Sequence, residues 1–301
     1  MSAFFMGGKT MKVTVNTLRE MKENGEKITM LTAYDYQFAR IQDAAGVDTM
    51  LVGDSLGNVM LGYANTLPVT MDEMIHHTKA VARAVKRAFV IFDMPFMSYQ
   101  VCVEDAVFNA GRAIKETGAE CVKLEGGGPL AAEATAAIVD CGIPVCAHLG
   151  LTPQSVNAMG GFMVQGKALE KAREIFDQAE MLQAAGACML VLEAVPWKLA
   201  QVLTERLTIP TIGIGAGPHC DGQVLVVHDM FNMSGRVPPK FAKVFEDVEK
   251  IMSRGVKNYV KEVKASTFPE TAHSFAIDDA IVNKLKPAAK KKAASKKAAK
   301  K

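Results

Sequence analysis

The residues with the most chemical potential in this sequence stand at the ends of short apolar runs. Run 49–53 leads into Gly53-Asp54-Ser55, run 89–92 into Asp93-Met94-Pro95, and run 121–124 into Lys123-Leu124-Glu125-Gly126-Gly127. Run 144–147 is followed by His148, and run 188–192 by Glu193. Any one of them has a plain structural explanation, because Asp and Ser cap helices and open turns, and a lone histidine is usually a satisfied core residue. Five consecutive runs ending in ionisable residues are harder to dismiss. Adjacent strands lie about 4.8 Å apart, so the carboxylates of Asp54, Asp93 and Glu125 would converge on one ion or ligand. Three oxygen donors suit a hard cation such as Mg²⁺, and the absence of clustered Cys and His argues against zinc. Lys123 and Glu125 are two residues apart and share a strand face. A lysine buried there needs a carboxylate or an anionic substrate. A structural ion pair and a substrate contact fit that spacing equally.

The elements that must position these groups are legible as a repeat. Apolar runs at 28–34, 49–53, 89–92, 121–124, 144–147, 188–192, 209–214 and 223–227 are continuous rather than alternating, as parallel strands buried on both faces are. Between them the apolar period is helical, as in Met74, Ile75, Thr78, Val81, Ala82 and Val85, preceded by a capping-box pair, Thr70 and Glu73. Val103, Ala106, Val107, Ala110, Ala113 and Ile114 form a second stripe, with Gly118 as its C-cap. Strand and helix repeated to eight strands predict a (β/α)8 TIM barrel, with a doubly wound open sheet as the alternative. In such a barrel the site lies at the C-terminal ends of the strands, where the ionisable residues fall. Gly213-Ile214-Gly215-Ala216-Gly217 could cradle phosphate but lacks the Rossmann spacing, and close packing at the rim explains it better. The 18 methionines read as core filling.

The expected organisation is a flexible lead at 1–11, a barrel at 12–265, and an extension at 266–301 ending in a disordered Lys/Ala-rich tail from Pro287. The formal charge of +3 belongs to that end of the chain: nine lysines lie from Lys284 onward, and no acid follows Asp279. Without them 26 bases face 32 acids, so the body is mildly acidic and nucleic acid is not an expected partner. The six cysteines form no C-x-x-C pair and read as reduced thiols. No apolar run approaches the ~20 residues of a membrane span, and the first residues lack a signal-peptide pattern. A cytoplasmic enzyme without membrane attachment is expected.

Between Leu31 and Phe241 the sequence carries Leu31-Thr32-Ala33-Tyr34-Asp35, Val52-Gly53-Asp54-Ser55-Leu56-Gly57, Asp93-Met94-Pro95-Phe96-Met97-Ser98-Tyr99 and Val122-Lys123-Leu124-Glu125-Gly126-Gly127. His148-Leu149-Gly150-Leu151-Thr152-Pro153-Gln154, Val191-Leu192-Glu193 and Asp221-Gly222-Gln223 complete an ordered set. With these motifs the stretch resembles the ketopantoate hydroxymethyltransferase family. The resemblance implies a (β/α)8 enzyme of pantothenate biosynthesis, commonly a homodecamer. Such an enzyme moves a one-carbon unit from 5,10-methylenetetrahydrofolate to 3-methyl-2-oxobutanoate, through a Mg²⁺-stabilised enolate, giving 2-dehydropantoate. It further implies that Asp54 and Asp93 hold Mg²⁺ and so meet the keto acid, and that Glu125 completes the site directly or through water. Ser55 and Lys123 would contact the keto acid, Glu193 would accept the C3 proton, and His148 would stand near the substrate carboxylate. This chain departs from the family at Ala194, commonly Cys, at Phe162-Met163 and in its Lys-rich tail. The rival readings are a carbon-carbon lyase related to phosphoenolpyruvate mutase or isocitrate lyase, and a protein whose tail binds nucleic acid or anionic membrane.

Overall fold

The computed structural model describes residues 11–161 and 163–286. Residues 1–10 of the expected 1–11 lead, Phe162 and the Lys/Ala-rich tail from Pro287 lie outside the described residues. Eight strands follow the eight apolar runs: β1 Ile28–Thr32, β2 Thr49–Val52, β3 Phe89–Asp93, β4 Cys121–Glu125, β5 Val145–Gly150, β6 Met189–Glu193, β7 Thr211–Ile214 and β8 Gly222–Leu225. Each pairs in parallel with the next, and β1 pairs with β8, so the sheet closes into a barrel. The (β/α)8 expectation holds, and the open sheet is excluded.

Register explains why the ionisable residues gather. Asp93 lies opposite Lys123, Glu125 opposite His148, and His148 opposite Val191, two residues before Glu193. Residues paired across a parallel ladder face the same side, and residues two apart on one strand do too. Asp93, Lys123, Glu125, His148 and Glu193 therefore belong to one inward-facing set. Below them the same parity supplies the barrel interior, a cluster containing Ile28, Met30, Leu51, Phe89, Ile91, Cys121, Cys146, Met189, Val191 and Ile212. The opposite parity, with Val52, Val90, Phe92, Val122 and Leu124, packs outward against the helices.

Two helices show how the sequence fixes this frame. In helix Met71–Ala84 the Thr70 hydroxyl accepts from the Glu73 N–H while the Glu73 carboxylate accepts from the Thr70 N–H, the reciprocal box the sequence predicts. Helix Val103–Thr117 ends at Gly118 with φ 83°, the left-handed cap for which glycine carries no Cβ penalty. One boundary differs from the sequence reading in an informative way: β5 continues to Gly150, so His148 lies inside a strand rather than after it. The polar His148 interrupts the apolar run without interrupting the ladder, because its side chain points into the barrel mouth.

The chain divides into two compact units, Met1–Val248 and Glu249–Lys301. All eight strands lie in the first. The second carries most of helix Val248–Lys264, with a 3₁₀ turn at Thr271–His273 and helix Asp279–Leu285; Tyr259, Phe268 and His273 pack ring to ring within it. No helix among the described residues is long and apolar enough to cross a membrane.

Candidate active site

Asp93 and Glu125 are the last residues of β3 and β4, His148 lies near the end of β5, and Glu193 ends β6. Asp54 and Ser55 follow β2 in a turn that opens the short helix Leu56–Val59, held by the Asp54 N–H donating to Asp93 Oδ2 at 3.1 Å. The Ser55 hydroxyl lies 2.9 Å from the hydroxyl of buried Tyr34. All seven residues singled out by the sequence line one cavity of about 480 Å³ at the mouth of the barrel.

Asp54, Asp93 and Glu125 each offer a carboxylate oxygen, and these oxygens lie within 4.8 Å of one another, close enough for one cation to bridge. Lys123 Nζ sits 2.7 Å from Asp93 Oδ1 and 3.3 Å from Glu125 Oε1. His148 links the two halves of the site, with Nδ1 3.3 Å from Glu125 Oε1 and Nε2 3.3 Å from Glu193 Oε2. Glu193 keeps 16% of its side chain exposed, against 3% for His148, so it is the member of the pair that opens to the cavity.

The charges sort themselves by surroundings. Burial, reinforced by Asp93 and Glu125, holds the Asp54 carboxyl well above the usual carboxylate range. Burial also raises Asp93, though Lys123 opposes it. For Glu125 burial is outweighed by Lys123, His148 and the Gln154 N–H, and its carboxyl is lowered to about 2. Burial and Lys123 act against a charged His148, yet Glu125 and Glu193 prevail and raise it to about 9. Lys123, pressed down by burial, is lifted well above its ordinary value by Asp93, Glu125 and Asp54. The surroundings thus favour the cationic forms of Lys123 and His148 and shift Asp54 and Asp93 toward their protonated forms.

Gln154 and Tyr99 organise this cluster and are not found by a search for ionisable strand ends. Gln154 follows β5 in the 3₁₀ turn Pro153–Ser155. Its side-chain amide donates to Asp54 Oδ2 (3.0 Å) and to the Met94 carbonyl (2.9 Å), and its backbone N–H donates to Glu125 Oε2 (3.0 Å). The Tyr99 hydroxyl donates to Gln154 Oε1 (2.7 Å) and accepts from the Glu125 N–H (3.0 Å). One neutral residue thus fixes two carboxylates, Asp54 through its side chain and Glu125 through its backbone N–H. Gln154 and Tyr99 both lie within quoted family stretches, but nothing in their type marks them. Replacing Gln154 with Leu is expected to weaken divalent-cation binding by roughly 10- to 100-fold, as loss of an outer-shell partner typically does. Isothermal titration calorimetry checks this, and unchanged affinity would remove Gln154 from the support of the site.

Two glycines near the rim are there for space. A Cβ on Gly150, where φ is +95°, would run into the backbone carbonyl of Glu193. A Cβ on Gly215 would lie 2.8 Å from the Phe241 ring, in keeping with the packing explanation of the 213–217 glycines.

Comparison with known proteins bears on the family and the fold. The model of the ketopantoate hydroxymethyltransferase family matches residues 12–271. A 3-methyl-2-oxobutanoate hydroxymethyltransferase of Clostridium botulinum (strain 657 / Type Ba4) is 56% identical over 275 residues, 91% of this chain and 100% of that relative. One from Thermoanaerobacter sp. (strain X514) is 57% identical over 267 residues, 89% of this chain and 97% of that relative. Among solved structures, a phosphonopyruvate hydrolase in complex with oxalate and Mg²⁺ superposes with TM-score 0.60 at 13% identity, covering 87% of this chain and 93% of the other. A phosphoenolpyruvate phosphomutase from Streptomyces platensis subsp. rosaceus gives TM-score 0.60 at 15% identity, covering 90% and 94%. At those identities the structures share the fold alone. The family match over most of the sequence, with relatives above half identity along nearly their whole length, goes further: this chain belongs to the ketopantoate hydroxymethyltransferase family.

Proposed function

We propose that the chain transfers a hydroxymethyl group from 5,10-methylenetetrahydrofolate to 3-methyl-2-oxobutanoate, giving 2-dehydropantoate, with Glu193 as the base and Mg²⁺ held by Asp54, Asp93 and Glu125. The observation that carries this reading is the split of the site by His148. On one side stand three clustered carboxylates, and on the other a single more exposed carboxylate, Glu193. The donor set fits a hard cation. It is all oxygen and buried. When bound, the cation supplies Lewis-acid stabilisation of the negative charge that develops on the 2-oxo oxygen.

The protein's own groups do the rest. Lys123 and Ser55 contact the keto acid, and the cationic His148 stands beside its carboxylate. The C3 proton is weakly acidic, and Glu193 takes it from the cavity side of β6; C3 then bonds to the methylene carbon as that carbon's two bonds to folate nitrogen break, water supplies the hydroxyl oxygen, and tetrahydrofolate leaves with both nitrogens protonated. Burial of the cluster strengthens each of these charge interactions over its value in water. Six free cysteines support a cytoplasmic setting.

Dependence on the one-carbon donor tests the reaction. Purified chain given keto acid and Mg²⁺ should form 2-dehydropantoate only when methylenetetrahydrofolate is added, followed by mass spectrometry. Carbon-carbon cleavage of larger 2-oxo acids without folate would instead favour the lyase chemistry.

A further inference from the structure

The cavity is larger than a small branched keto acid needs, and falls within the roughly 300–1,000 Å³ of pockets that hold drug-sized ligands. Its wall beyond the catalytic cluster includes Asp229, in the short helix Val227–Met230 after β8. Asp229 is 3% exposed, and its Oδ1 has no hydrogen-bond partner among the described residues. Oδ2 has Arg236 at 3.9 Å, too far for a direct hydrogen bond. Thr66, on the same cavity, likewise has a buried hydroxyl without a partner. A buried carboxylate lacking donors is costly, and such groups are normally satisfied. Here the missing donors would come from a ligand.

We propose that Asp229 receives the pterin ring of the folate co-substrate, with Arg236 and Lys240 at the rim meeting its glutamate tail. This rests on the hydroxymethyl-transfer reading above. The 2-amino-4-oxo edge of a pterin presents two adjacent N–H donors that match the two oxygens of a carboxylate, as the fork of a guanidinium does. Phe241, seated over the bare Cα of Gly215, lines the same cavity with a flat ring suited to stacking. Arg236 and Lys240 line it too and are exposed, which places cations where an anionic tail would leave the barrel. The arrangement puts the ring inside and the tail outside, and brings the one-carbon donor over the end of the barrel where Glu193 and the keto acid meet.

The test is calorimetric titration of tetrahydrofolate, and of 6,7-dimethyltetrahydropterin, which has no tail, into the full chain saturated with Mg²⁺ and keto acid. Asp229→Asn should weaken both ligands by roughly tenfold or more, as loss of a charge-assisted pair does. C3 exchange, which uses no folate, reports that the variant is folded. Lys240→Ala, a surface change, should weaken tetrahydrofolate by a few-fold and leave the tetrahydropterin unaltered. Unchanged tetrahydropterin affinity in Asp229→Asn overturns the subsite, as does loss of tetrahydropterin binding in Lys240→Ala. Wild-type chain that binds neither ligand overturns the folate reading and the subsite with it.

Discussion

Glu193→Gln is expected to abolish solvent exchange at C3 of 3-methyl-2-oxobutanoate while Mg²⁺ and the keto acid still bind. Turnover should fall by roughly 10² to 10⁴-fold, the usual contribution of a positioned general base. The geometry makes this a selective change. Glu193 ends β6 on the inward parity, its side chain is more exposed than that of His148, and His148 Nε2 lies 3.3 Å from its Oε2. It stands apart from the three clustered carboxylates. Glutamine keeps the shape and can still accept from His148, so binding survives while the proton acceptor is gone. Following loss of the C3 proton signal in deuterated buffer by NMR separates the two functions, since exchange needs the base but not the folate. Exchange at the wild-type rate in this variant would move the base elsewhere. A variant that also lost keto-acid binding would show Glu193 to be a structural partner of His148 instead.

How much of this was legible in the sequence follows from what each residue does. Asp54, Asp93, Lys123, Glu125, His148 and Glu193 stand out because a strand buried on both faces tolerates polarity only where its end opens to a cavity. The helix caps at Thr70 and Gly118 are legible because capping chemistry is local. Gln154 and Tyr99 are not, since a neutral amide and a phenol gain importance only from the carboxylates that reach them across the barrel. Asp229 lies two residues beyond run 223–227, so the strand-end rule, carried around to the eighth strand, does reach it.

The second large effect concerns the carboxylate cluster and its protons. Asp54→Asn should reduce Mg²⁺ affinity by more than the roughly 10- to 100-fold that loss of an outer partner costs, and keto-acid binding that depends on the metal should fall with it. Asparagine can still accept from the Gln154 amide, so the surrounding network is spared. Asp93→Ala should weaken the metal as well, but it also strips buried Lys123 of its nearest carboxylate, 2.7 Å away, and so confounds affinity with stability. Asp54 carries a further signature. Burial and its two carboxylate neighbours raise its pKa, so in the metal-free protein it holds its proton to higher pH than an ordinary aspartate. A metal ligand must give that proton up, so binding releases protons and strengthens as pH rises through the raised pKa of Asp54. It weakens as pH falls, from a pH above that at which an isolated aspartate would protonate. Calorimetry in buffers of different ionisation enthalpy counts the protons released. Asp54→Asn should release fewer than wild type, with a flatter pH dependence. Equal proton release in the two would mean that the cation enters without displacing the Asp54 proton, and Asp54 would then not be a ligand.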